Sequence, residues 1–191
     1  SVIYVAWRWH EKEPMPSIGR EVYRNIFQIL VDMFIDHSKA FADFPKNRER
    51  YFVIEFPHPD FFLPVLSLQS EGFKIIYEII DEWEEFYKVG QATWFDKSME
   101  EAFIINADLV TATAPPLNDK FSRLRNDIHL LPNGYNPVLL GKTEKRISKN
   151  LQQKEVIHLG YFGHLTSSWF DWDFLISVLD VANSQNINLH I

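Results

Sequence analysis

Short runs rich in Val, Ile, Tyr and Phe recur along the chain: Val2 to Trp7, Tyr51 to Phe56, Phe73 to Ile80, Asp108 to Thr113, Ile128 to Leu131, Val156 to Tyr161 and Ile187 to Ile191. Near-continuous apolar runs of this length suit strands buried on both faces, as in a parallel sheet. Between most of them the apolar positions fall at helical spacing. Val22, Ile26, Ile29, Leu30 and Met33 form one predicted helical stripe, Ala102, Phe103, Ile105 and Asn106 close a second, and Trp172, Leu175, Ile176 and Leu179 form a third. Ser98 followed by Glu101, and Ser168 followed by Asp171, place an oxygen and a carboxylate where free helix N–H groups need acceptors. Pro115 and Pro116 suit the first turn of the next helix.

Alternating strand and helix imply βαβ units with right-handed crossovers. The predicted fold is therefore α/β: a doubly wound, parallel, Rossmann-like sheet, followed by the first strand-helix-strand of a second Rossmann-like domain. Residues 142 to 154 interrupt the pattern with five cationic side chains and little apolar content. They read as a solvated linker, because no aromatic or glycine organisation accompanies the charges. The expected division is residues 1–140, a linker at 141–154, and 155–191 as the start of the second domain.

At 191 residues, 46% apolar and 15% aromatic, the chain has the means to bury a core, which excludes a disordered chain. A net charge of -7 and a pI near 5.5 argue against a general nucleic-acid binder, which needs a basic face to displace counterions. The absence of cysteine excludes disulfides and thiolate metal sites. The histidines are too scattered for zinc, so no metal is expected. No apolar run approaches the roughly 20 residues that span a bilayer. A cytoplasmic protein is expected, with peripheral membrane contact left open.

In open α/β sheets ligands collect beyond the carboxyl ends of the strands. Four such places carry candidate chemistry. Asp81, Glu82 and Trp83 follow a strand directly; a carboxylate there can accept a hydroxyl or act as a base, and an indole can stack on a sugar face. The same acids also suit a helix start, which is the preferred reading for Glu84 and Glu85. His58 lies in the exit Glu55-Phe56-Pro57-His58-Pro59-Asp60, where Asp60 reads as a helix cap and His58 as an acid-base group or a structural contact. Asn133 and Gly134 form a turn signal before the linker. Gly160, Gly163 and His164 lie between a strand and a helix expected to start near Trp169 or Phe170; the loop lacks the Lys-Ser/Thr of a phosphate-binding loop, and His164 fits either a diphosphate or loop packing.

Lys74-Ile75-Ile76-Tyr77-Glu78-Ile79-Ile80-Asp81-Glu82-Trp83, Ala107-Asp108-Leu109-Val110-Thr111-Ala112-Thr113 and Ile128-His129-Leu130-Leu131-Pro132-Asn133-Gly134 together resemble the GT-B glycosyltransferases of the glycosyltransferase 1/4 type. The resemblance continues in Gly160-Tyr161-Phe162-Gly163-His164-Leu165 and Trp169-Phe170-Asp171-Trp172-Asp173. It implies an N-terminal domain that receives the acceptor and a C-terminal domain that holds a nucleoside diphosphate sugar as co-substrate. By the same resemblance Asp81, Glu82 and Trp83 line the acceptor side, for which His58 is a further candidate. Asn133 and Gly134 form the hinge, and Gly160, Gly163 and His164 face the donor diphosphate.

The implied activity is sugar transfer to an acceptor hydroxyl in polysaccharide or surface-glycan synthesis. Two family features are absent: the glycine-rich first loop and the later pair of glutamates. Thr166, Ser167 and Ser168 stand where basic residues are usual. The chain is accordingly expected to be an internal piece, inactive alone and able to self-associate through the strand edges of residues 155–191. The alternative is a noncatalytic α/β module that binds a glycan or a protein partner.

Overall fold

The structure is a computed structural model that describes residues 2–6, 20–24, 26–30, 34–35, 47–140, 158–161, 163, 165–185 and 188–190. The 141–154 linker and His164 lie outside the described residues. The chain divides into two compact units, Ser1–Asn133 and Gly134–Ile191.

In the first unit, β1 (Val2–Ala6), β2 (Arg20–Tyr23) and β3 (Ile26–Leu30) form a three-stranded sheet in the order β1-β3-β2. β1 runs parallel to β3, and β2 antiparallel to it. The helical stripe expected from Val22 to Leu30 is therefore strand instead, and Met33 lies outside the described residues. A short apolar run has no period that separates helix from strand; here the β-branched and aromatic residues around Ile26 and Phe27 favour the extended chain.

The larger sheet is all-parallel, in the order β4 (Arg50–Ile54), β5 (Phe73–Ile79), β6 (Leu109–Ala112), β7 (His129–Leu130). Helices α1 (Phe62–Ser70), α2 (Trp83–Lys88), α3 (Lys97–Asn106) and α4 (Pro115–Phe121) supply the crossovers, so the fold is α/β and Rossmann-like. In β5 the residues Phe73, Ile75, Tyr77 and Ile79 are buried, whereas Lys74 is exposed and Ile76 and Glu78 are half-buried. β5 is thus buried on one face more than on the other, whereas Val110, Thr111 and Ala112 bury both faces of β6 as expected. Strands placed in sequential order, joined by right-handed crossovers, receive their helices on the same side. Val65 and Leu68 of α1, Phe103 and Ile104 of α3, and Leu117 and Phe121 of α4 accordingly share one core with that row.

Two polar staples fix this packing. Asp108 Oδ2 accepts the Ile75 N–H at 2.9 Å and the Gln69 amide at 3.3 Å, while Oδ1 accepts Lys74 Nζ at 3.1 Å. Arg125 Nη1 donates to the carbonyls of Ile104 (3.1 Å) and Ala107 (2.8 Å), closing the end of α3. The helix caps differ from expectation. Asp96, not Ser98, caps α3 by accepting the N–H groups of Ser98 (2.8 Å) and Met99 (3.2 Å). The buried positions of α3 are Glu100, Phe103 and Ile104, while Ile105 and Asn106 face solvent. The two prolines do occupy the first turn of α4.

In the second unit, α5 (Pro137–Leu140) precedes the βαβ unit of β8 (His158–Gly160), α6 (Trp172–Ser184) and β9 (Asn188–His190), whose strands are parallel. α6 starts later than Trp169, and its cap is Asp171, which accepts the Phe174 N–H at 2.8 Å.

Candidate functional site

The carboxyl ends of β4, β5 and β6 converge on one edge of the first unit. β5 ends in Ile80-Asp81-Glu82-Trp83, and its exit is pinned by β6: the Thr113 hydroxyl donates to the carbonyls of Ile80 (3.0 Å) and Ile79 (3.3 Å), and the Thr113 N–H to Ile79 at 3.0 Å. Asp81 is half-buried, and burial raises its pKa above the ordinary aspartate value. Among the described residues no hydrogen bond or ion pair neutralises it. That leaves its oxygens able to accept a hydroxyl.

Trp83 opens α2 and joins an aromatic cluster drawn from that helix and two loops. Its ring lies 5.5 Å from Trp94, 5.4 Å from Phe86 and 6.2 Å from Phe56, and Trp94 lies 5.7 Å from Phe56 and 5.3 Å from His58. The Trp83 indole N–H is buried and has no acceptor among the described residues. A buried donor left unpaired costs about 1 to 3 kcal/mol, so an acceptor oxygen brought to it would be favourable.

His58 is less free than the sequence suggested. It, rather than Asp60, caps the helical turn Pro59–Phe61: its Nδ1 accepts the Asp60 N–H at 3.2 Å. Burial lowers its pKa and the Asp60 charge opposes this; in the neutral ring, an Nδ1 that accepts the Asp60 N–H leaves the proton on Nε2. Its role at this edge is to stiffen the β4 exit and back Trp94.

Glu82 and Glu84 are paired with Lys120 of α4. Lys120 Nζ donates to Glu82 Oε1 and, at 3.0 Å, to Glu84 Oε2; Lys97 stands 3.7 Å from Glu84. Glu82 thus ties the start of α2 to α4. Beneath this pair sits Glu100, 1% exposed, whose Oε1 accepts the Tyr77 hydroxyl at 3.3 Å. Burial pushes the Glu100 carboxyl up to about 7, with Lys120 opposing and Glu82 adding to the rise.

Trp94, Glu100 and Lys120 were not singled out from the sequence. Glu100 left a signal, because Glu100, Phe103, Ile104 and Ala107 follow the i, i+3, i+4, i+7 pattern of a buried face. Lys120 left none, since it meets Glu82 across 38 positions.

The other candidates lie apart from this edge in sequence. Asn133 and Gly134 fall in the extended stretch after β7, at the boundary between the two units, and make no hairpin turn. Only Gly72 (φ 92°) and Gly90 (φ 77°) take positive φ among the described glycines, and open space surrounds Gly134. Gly160 ends β8. A Cβ on Gly163 would meet the end of the Tyr161 ring, 2.7 Å from Cζ, so a side chain there requires that exposed ring to move. Tyr161 in turn packs edge-on against Phe170 at 4.7 Å, and Phe170 against Trp172 at 4.9 Å. The space beside Gly163 is thus filled by the chain itself. The N-terminus of α6 already holds its own Asp171 carboxylate, with Asp173 in the first turn. An arriving anion would face both.

Among the described residues, no group of three or more acidic or histidine side chains is placed to hold a metal ion, and no helix is long and apolar enough to cross a membrane. Comparison of the chain with protein-family models, with curated proteins and with solved structures finds no match.

Proposed function

We propose that the chain serves a GT-B-type glycosyltransferase that moves a sugar from a nucleoside diphosphate sugar to an acceptor hydroxyl in polysaccharide or surface-glycan synthesis, acting in the cytoplasm or at the membrane surface. One observation carries the reading. At the carboxyl edge of an all-parallel sheet, a half-buried carboxylate with no neutralising partner among the described residues (Asp81) stands two positions before a tryptophan with an unfilled N–H (Trp83), which packs on a second tryptophan (Trp94). Aromatic faces receive the C–H face of a pyranose, while carboxylates and N–H groups receive its hydroxyls. In this reading Asp81 is the group that accepts the acceptor hydroxyl's proton or hydrogen bond, and Trp83 positions the ring. Gly160, Gly163 and His164 remain assigned to the donor diphosphate by the resemblance alone.

The pairing of Lys120 with Glu82 and Glu84 favours a second reading, in which this edge is built for rigidity and binds a glycan without chemistry. Two titrations of the 191-residue chain separate the readings. Oligosaccharides are followed by tryptophan fluorescence in the parent and in Trp83→Phe and Asp81→Asn variants, and uridine and guanosine diphosphates by calorimetry. Saccharide quenching weakened by both substitutions, together with nucleotide binding, supports the transferase. Quenching without nucleotide binding moves the assignment to the glycan-binding module. Absence of both responses sinks the carbohydrate reading altogether.

A further inference from the structure

α2 carries the indole of the carboxyl edge, yet its own six residues do little to hold it there. It buries no residue, and its N-cap Glu82 makes no side-chain hydrogen bond to the first turn. A helix this short is far below the roughly 12 residues at which helices persist unaided. What fixes it is tertiary: the packing of Trp83 on Phe56 and Trp94, and ion pairs from its acids to two other helices.

Those ion pairs are unequal. Lys97 of α3 stands 3.7 Å from Glu84 alone and is 55% exposed, so water and salt screen its charge. Lys120 of α4 is 25% exposed and donates both to Glu82 Oε1 and, at 3.0 Å, to Glu84 Oε2. These two acceptors are the residues immediately before and after Trp83. Lys120 has a firm base, because Leu117 and Phe121 of α4 are buried in the core and its ammonium lies 5.0 Å over the Phe121 ring. Charge-assisted bonds from such a base fix geometry better than neutral ones.

We propose that Lys120 is a positioning residue for this edge: by clamping both neighbours of Trp83 to α4 it sets where the indole stands, and through the indole how tightly a saccharide is held, without touching the saccharide. Glu82 then serves the edge through this clamp rather than by meeting substrate. The consequence for saccharide binding rests on the carbohydrate reading above; the placement of Trp83 does not.

Two readouts of the 191-residue chain test this. One is the Trp83 indole N–H resonance without ligand, assigned by its loss in Trp83→Phe; the other is the Kd for maltotetraose and cellotetraose from tryptophan fluorescence. Lys120→Met keeps an apolar stem beside Phe121 and removes the charge. It should move the Trp83 resonance and weaken saccharide binding by at least about threefold, as when the competent placement falls to about a third of the population. The double variant Glu82→Gln/Glu84→Gln reaches the same clamp from α2, should Lys120→Met fail to fold, and should have the same two effects. Adding Lys120→Met to it should change nothing further. Lys120→Arg, which keeps a charge able to serve two carboxylates, should stay near the parent, and so should Lys97→Met. A Trp83 resonance unmoved by loss of the clamp, further loss in the triple variant, a Lys120→Arg that behaves like Lys120→Met, or an equal effect from Lys97→Met overturns the proposal. So does a moved resonance with unchanged saccharide affinity. A parent that binds neither saccharide sinks the carbohydrate reading instead, and the resonance alone then decides whether Lys120 places Trp83.

Discussion

α3 and α6 begin alike and end differently. Each is capped by an aspartate that accepts backbone N–H groups at 2.8 Å, and each carries bulky apolar residues. Yet α3 buries Phe103 and Ile104 to 2% exposure or less, whereas α6 buries only Ala182 and leaves Phe174 at 66% and Ile176 at 54%. The difference lies under the helices. α3 rests on a four-stranded sheet between neighbours that share its core, while α6 is joined to a sheet of two strands with three paired residues each. Two strands about 4.8 Å apart make a platform no wider than one helix about 10 Å across. A helix's apolar pattern is a local property; how much of it is buried depends on the width of what it meets.

The comparison breaks most visibly at the aromatic positions. Phe103→Ala removes a ring that packs edge-on to Phe62 at 5.2 Å and stacks on Tyr77 at 6.0 Å, and denaturant unfolding should show a loss of about 3 to 5 kcal/mol. Phe174→Ala on α6 should change the same measurement by less than about 0.5 kcal/mol. Equal losses would mean that α6 is as well covered as α3.

Glu100 gives α3 a second distinction, one that depends on pH. Its carboxyl lies at about 7 in the fold against an ordinary 4.5, so between those values the folded state holds the proton that the unfolded state releases. Stability from this group is therefore full below about 4.5 and lost as pH rises through about 7. Glu100→Gln, which cannot ionise, should stabilise the first unit by up to about 3 kcal/mol above neutral pH and by nothing near pH 4. A gain that does not vary with pH would assign the effect to packing instead.

The strands from β4 onward were legible because most of them lie in compact apolar runs separated by prolines, glycines and caps, whereas their order in the sheet comes from the structure alone. β2 and β3 were not, because Val22, Ile26, Ile29 and Leu30 satisfy a helical spacing as readily as a strand one, and only pairing with β1 decides between them. At the carboxyl edge, Asp81, Glu82 and Trp83 are visible because they directly follow a strand. What they touch is not visible: Trp94 arrives through a loop, and Lys120 from the helix of the next crossover. The cap of α3 was misplaced by two residues because Ser98 and Asp96 are both good caps, and Asp96 takes both N–H groups and the Ser98 hydroxyl as well.

Asp108 sharpens the contrast with Glu100, since its pH dependence has the opposite sign. The hydrogen bond from the Ile75 N–H, with smaller help from Lys74 and Gln69, holds its carboxyl below the ordinary 3.8. Its stabilisation is present above that value and is lost as pH falls through the folded one. Asp108→Ala leaves the part-buried Ile75 N–H without its acceptor and should cost about 2 kcal/mol at neutral pH, with the difference from the parent shrinking in strong acid. A constant difference down to about pH 2 would remove the carboxylate's charge from the explanation.

The smallest effect is the most direct comparison, because it makes one chemical change in both helices. Removing a capping aspartate costs about 1 kcal/mol of helix stability wherever it is done. In Asp96→Ala that loss should reach the global unfolding free energy, because α3 is part of the shared core and cannot fray without exposing Phe103 and Ile104. In Asp171→Ala the same loss should remain local: amide exchange should quicken across the first turns of α6, from Trp172 toward Ser177, while the unfolding of the first unit is unchanged. If Asp171→Ala lowers the global value as much as Asp96→Ala does, the two units unfold as one, and the width of the β8–β9 platform no longer accounts for the exposure of α6.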